Sequence, residues 1–258
     1  MGTGALAGHR LFAQYAYAPN ALGYCGPEGS AALLAVACGR GDDVDVPALA
    51  KRFSGAWPYQ KVLAELARAD PLDARVVRAY WTGNELTDRV DRAKFGPALL
   101  DRIRPVAGSY WSHLGDDLLT EAAPTHAFHV LAVYPWSRLL DAGQSEPLRV
   151  LDSCRIASAG VLAVEPDHLV VASRHLEYAD GVLSLGPEQE EQVGYRVGGA
   201  SFVDEVQPGD VVAVHWGFVC DRLTREQTHS LARWTDWQLA AMAPRLARAS
   251  KGAPMGER

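Results

Sequence analysis

No apolar stretch in this sequence reaches the roughly 18 to 20 residues that span a bilayer, so no transmembrane helix is expected. No run of lysine or arginine stands out against a net charge of −6. Phosphate backbones call for clustered positive charge, which removes nucleic acid from the expected partners. Nothing resembles a glycine-rich phosphate loop, so nucleotide use is not indicated. The cysteines are few (Cys25, Cys38, Cys154 and Cys220) and form no CxxC pair. They read as reduced thiols in a cytoplasm rather than as disulfide staples. The first twenty residues lack a basic start followed by an apolar run, so no secretory signal is expected there. What remains is a cytoplasmic protein that needs neither membrane nor cofactor.

The chain has 258 residues and is 48% apolar, enough for a sizeable core. The pattern predicts a helix from Gly26 to Gly39, with Pro27 near its first position and Gly39 placed to end it. Further helices are expected over Val46–Phe53 and Tyr59–Ala69, and in part over 84–104. The character then changes. Strands are predicted at Ala107–Trp111, His129–Tyr134, Leu148–Asp152, His168–Ser173, Gly181–Leu185 and Val211–Trp216. A closing helix covers Thr224 to Ala247, opened by a Thr224/Gln227 capping box. Helices first and antiparallel strands afterwards give an α+β protein. The expected organisation is a core over 1–155, a β-rich portion with the closing helix over 156–248, and a tail over 249–258.

Cys25 lies in Leu22-Gly-Tyr-Cys-Gly-Pro-Glu28, ahead of the first expected helix. A cysteine at a helix N-terminus feels the positive end of the dipole and free backbone N–H groups, which favour thiolate over thiol. Gly23 and Gly26 let a substrate carbonyl approach the backbone, and Tyr24 and Gly26 are candidate substrate contacts. A thiolate nucleophile needs a base, and the base needs a third group to orient it. His129 opens one expected strand and Asp152 closes the next, so neighbouring strands would present the pair to each other. The bland reading, a core histidine and a turn aspartate, is the better one for each taken singly. The ordered set of cysteine, histidine and aspartate is what favours chemistry.

Cys25-Gly26-Pro27 before a helix, His129 opening an apolar strand and Asp152 closing another resemble the papain-like cysteine peptidases, nearest to the bacteriocin-leader peptidase branch. The resemblance spans about residues 14 to 155 and rests on motifs. It implies a papain-like core and a Cys25–His129–Asp152 triad. Asn20, with the Cys25 N–H, would form the oxyanion hole, though that family usually places glutamine there, and Gln14 is the more distant alternative. It implies an amide, ester or thioester hydrolase, or an amide-forming acyltransferase. The acyl substrate would be a peptide or a small molecule, with an amine as acceptor in the transferase case. Transglutaminase-like enzymes share the residue order. The segments APNALGYCGP, FHVLAVYPW and LDSCRI also resemble an actinobacterial family often encoded near nickel–iron hydrogenase genes. That implies the alternative of a non-catalytic accessory or maturation factor for a metalloenzyme, with a protein partner.

His126 and His129 make an H-x-x-H. On a helix both would face one way, but the following Val-Leu-Ala-Val favours a strand, where they point apart. His126 stands as an alternative base and substrate contact, and a metal on His126, His129 and Cys25 is a weaker reading still. His215 and Cys220 near the strand at 211–216 read as a packed strand end. Asp204, Glu205 and Asp210 read as a solvated loop. Trp57, Tyr59, Tyr80, Trp81, Tyr110 and Trp111 are core candidates first and cleft candidates second, with Trp111 the favoured substrate contact.

Overall fold

The computed structural model describes residues 3–107, 115–142 and 144–252. It is an α+β protein, helical first and β-rich later, as the sequence pattern predicts. Helix α1 (Thr3–Ala21) has no counterpart in that pattern. Its residues from Leu11 to Asn20 are buried without a break. A helix covered on all sides carries no polar face to give a period away. Against it pack α2 (Ala31–Ala37), α3 (Val46–Ala50) and α5 (Ala74–Trp81), while α4 (Trp57–Ala67) and α6 (Glu85–Arg89) lie on α5 and α7 (Arg92–Ala107) lies on α4. The apolar core of this layer runs from Leu11 to Trp234 and takes in Ala213 and Cys220, so it crosses residue 155.

Two expected strands are helical. His126–Phe128 forms a short helix, α8, and His129–Val133 continues it as a π-helical turn closed by Tyr134 N–H donating to the His129 carbonyl at 2.7 Å. Val130, Leu131, Ala132 and Val133 are all fully buried. An unbroken apolar run has no period, so a buried helix and a buried strand look alike in it. Leu148–Asp152 lies within helix α9 (Glu146–Cys154), which has Pro147 in its first turn. Residues 108–114, and with them most of the expected strand at Ala107–Trp111 and the candidate Trp111, lie outside the described residues; Ala107 ends α7.

The later chain builds β1 (Ala157–Val164), β2 (His168–Ala179), β3 (Val182–Gly194), β4 (Arg196–Val197), β5 (Ala200–Ser201), β6 (Val211–His215) and β7 (Phe218–Leu223). β1, β2, β3, β7 and β6 close into a barrel, antiparallel except at one parallel pairing of Gly194 with Phe218. Alternate residues Leu169, Val171, Val193, Val212 and Val214 point inward to a small apolar core. A bulge between Arg174 and Leu176 pushes His175 out of the β2–β3 register.

Helix α10 (Arg225–Gly252) starts at the expected capping box: Gln227 N–H donates to Thr224 Oγ1, and Thr224 N–H donates to Gln227 Oε1. It runs further than expected, into the segment read as tail, and 253–258 lie outside the described residues. Its buried Arg245 ties to Glu121 at 2.8 Å and donates to the Leu131 carbonyl, which fixes the π-helical turn from behind. Among the described residues no helix is long and apolar enough to cross a membrane.

Candidate thiol–imidazole site

A cavity of about 180 Å³ opens where α1, α5, α8, α9 and β6 meet. Cys25, His126, His129, Cys154 and His215 all line it, with Tyr24 and Trp216 among the other lining residues. The sequence reading brought the first three together. Cys154 and His215 it left aside.

Cys25 does not open a helix. It follows the C-terminal end of α1, and α2 begins only at Ala31, with a Ser30 cap that makes no side-chain bond. The nearer helix end therefore presents carbonyls rather than N–H groups, and the expected pull toward thiolate is absent. Burial instead pushes the Cys25 thiol up to about 11. The loop is held by Asn20, whose Nδ2 donates to the Cys25 carbonyl at 2.8 Å and the Pro27 carbonyl at 2.6 Å. Both amide N–H groups are then engaged, so Asn20 shapes the loop and does not supply an oxyanion donor. Gln14 donates to the Phe202 carbonyl at 3.0 Å and lies on another face. Gly26 has φ +81°, and a Cβ there would lie 2.4 Å from the Phe53 ring, so the turn admits only glycine. Tyr24, 45% exposed, stacks on Trp216 at 3.9 Å at the mouth of the cavity.

His126 and His129 share one helical face, their rings 6.0 Å apart. His126 is held at both nitrogens, Nδ1 against the Tyr80 hydroxyl and Nε2 against the Cys154 carbonyl, each at 2.9 Å. His129 lies edge-on to Tyr59, and its Nδ1 is buried without a partner. A Cβ on Gly55 would lie 2.8 Å from His129 Nε2, so glycine at 55 makes room for this ring. His215 ends β6, 1% exposed, and its Nδ1 donates to the Tyr15 carbonyl at 2.8 Å. Its Nε2 is buried without a partner. Burial brings His129 and His215 each down to about 4 and lowers His126 as well, so three neutral imidazoles line the cavity at neutral pH. Burial also lifts the Cys154 thiol to about 12, with Cys25 adding to the rise.

Asp152 does not orient His129. Its Oδ2 accepts from His175 Nδ1 at 2.7 Å, and its Oδ1 accepts from Arg155 Nε at 2.9 Å and the Leu176 N–H at 2.8 Å. The helical form of 146–154 turns it toward the bulge on β2, so the expected triad has no third member. The pattern that recovers His215 was visible: it closes the apolar run Val-Val-Ala-Val, the same kind of position that drew attention to His129. Cys154 carried no comparable mark, because only the helical form of its segment points it at the cavity.

Fold and cavity together define an α+β protein with a closed five-stranded barrel and a buried thiol–imidazole chamber. The chain belongs to the family described as a family of unknown function (DUF6390), whose model matches residues 4–249. No curated protein matches the chain. No solved structure matches it either.

Proposed function

We propose that the chain is a thiol-dependent acyl hydrolase or acyltransferase of the cytoplasm, with Cys25 as nucleophile and His129 as base. The observation that carries this reading is the shared cavity, lined by a cysteine and by a neutral imidazole whose Nδ1 has no partner. Cys25 sulfur attacks an amide, ester or thioester carbonyl, and its proton passes to His129. Collapse of the adduct returns that proton to the leaving group, and water or an amine then takes the acyl group from sulfur. Tyr24 and Gly26 flank the nucleophile on the substrate side.

The energetics favour a particular form of this step. Burial raises the Cys25 thiol to about 11 and lowers the His129 imidazole to about 4, so both groups rest neutral near pH 7. In this reading proton transfer accompanies attack, as with a serine hydroxyl.

A second reading, an accessory or maturation factor for a metalloenzyme, is favoured by the soft donors at the back of the cavity. The test of the first is intact-mass analysis after exposure to activated esters and thioesters of varied chain length. An acyl adduct on Cys25, lost in Cys25→Ala and formed about 100-fold more slowly in His129→Gln, is the expected result. No adduct with any donor, or an adduct that survives Cys25→Ala, overturns it.

A further inference from the structure

His126, Cys154 and His215 each offer a ligand atom, and the three atoms lie within 4.8 Å of one another. We infer that these three side chains bind one borderline-soft transition-metal ion, Zn²⁺ or copper in class, at the back of the cavity. Two imidazoles and one thiolate are the donor set such ions prefer over magnesium or calcium. The three residues come from α8, the end of α9 and the end of β6, so the tertiary structure alone assembles them.

Two details separate this cluster from chance packing. The first is His215, where Nδ1 donates to the Tyr15 carbonyl and Nε2 stays buried, near the Cys154 carbonyl but without a well-formed hydrogen bond to it. A backbone carbonyl on one imidazole nitrogen is the usual device that fixes the tautomer and aims the other nitrogen at a metal. An imidazole nitrogen left dry and unpaired is costly unless something binds it. The second is His126, which has the Tyr80 hydroxyl on Nδ1. Its Nε2 exchanges the Cys154 carbonyl for the ion, and Nδ1–H then donates to Tyr80.

Metal–ligand bonds of about 2.0 to 2.3 Å set ligand separations near 3.5 Å, so the three groups draw together by about 1 Å on binding. The ion takes the place of the Cys154 thiol proton, which leaves to solvent, so one proton is released per ion bound. The site is three-coordinate in protein ligands, with its fourth position open to the cavity that Cys25 also lines. Cys25 and His129 are not ligands, so this inference stands apart from the acyl-transfer reading.

The test titrates chelator-treated protein with Co²⁺ and then displaces it with Zn²⁺. Expected are one equivalent per chain, a thiolate-to-cobalt charge-transfer absorption, tetrahedral d–d bands and one proton released. Cys154→Ser removes the charge-transfer band, and His215→Gln weakens binding by at least about 100-fold. Cys25→Ala leaves both unchanged while abolishing any acyl adduct, which keeps the two hypotheses separable. X-ray absorption on the zinc-loaded wild type needs no variant and should show one sulfur and two imidazoles. No saturable cobalt binding by the wild type, a first shell without sulfur, or a band that persists in Cys154→Ser overturns the inference.

Discussion

Asp152 and His175 are joined at 2.7 Å across the junction of α9 and β2, and this pairing removes the carboxylate from the cavity chemistry. The same carboxylate faces Arg155, whose side chain is 5% exposed. Asp152 is therefore a structural anchor between the helix and the bulged strand.

Asp152→Asn is expected to lower stability by about 2 to 3 kcal/mol, because it leaves a buried guanidinium without its counter-charge. The lower end applies because the carboxylate itself is 19% exposed. Thermal unfolding should record the loss. Acylation of Cys25 in the folded variant should match the wild type, and a selective loss of acylation would restore Asp152 to the site.

Asn20→Ala should destabilise by about 2 kcal/mol, since two carbonyls lose their donor. The loop from Leu22 to Gly29 should then become the first site of limited proteolysis. Asn20→Asp should be worse, because a carboxylate would face the Cys25 and Pro27 carbonyls. If either variant kept full stability but lost only turnover, an oxyanion role would return.

Stability should fall on both sides of neutrality. His129 is held near 4 against an ordinary 6.5, so below pH 6.5 the unfolded chain takes up a proton the folded one refuses. The loss from His129 alone reaches about 3 kcal/mol by pH 4, and His215, lowered as far, adds to it. Cys25 is raised from 9.0 to about 11, so its contribution is intact below pH 9 and is lost as pH rises toward 11. Denaturant midpoints between pH 4 and 11 should trace a plateau from about 6.5 to 9. His129→Gln should make the acid limb shallower without removing it, because His215 and His126 are lowered by burial too.

Iodoacetamide should label Cys25 about 100-fold more slowly at pH 7 than a thiol at its ordinary 9.0, because burial raises it to about 11. The rate should keep climbing to pH 11. Rapid labelling at neutral pH, mapped to Cys25, would mean that the thiolate is stabilised by a group the geometry does not show.

Elements with a period or a cap were legible in the sequence. The Thr224/Gln227 box opens α10 where it reads, and the strands expected at His168–Ser173 and Val211–Trp216 form in β2 and β6. Elements that are buried all round were not. Val130–Val133 and Leu11–Ala18 have no polar face, so a strand was read in the first and nothing in the second. Strands expected at 129–134 and 148–152, both helical in the structure, carried two site errors with them. A strand separates His126 from His129 and offers Asp152 to His129, whereas the helices place both histidines on one face and turn the aspartate away.

The sequence by itself determined the α+β order, the absence of a membrane-spanning run, and Cys25, His126 and His129 as residues to examine. Only the tertiary structure decided that Cys25 follows a helix C-terminus, where burial keeps it a thiol. Only it brought Cys154 and His215 to the same cavity, from positions separated by most of the barrel's strands. Local sequence encodes periods and caps, whereas pKa and ligand geometry depend on which distant atoms exclude water from a group and which reach it.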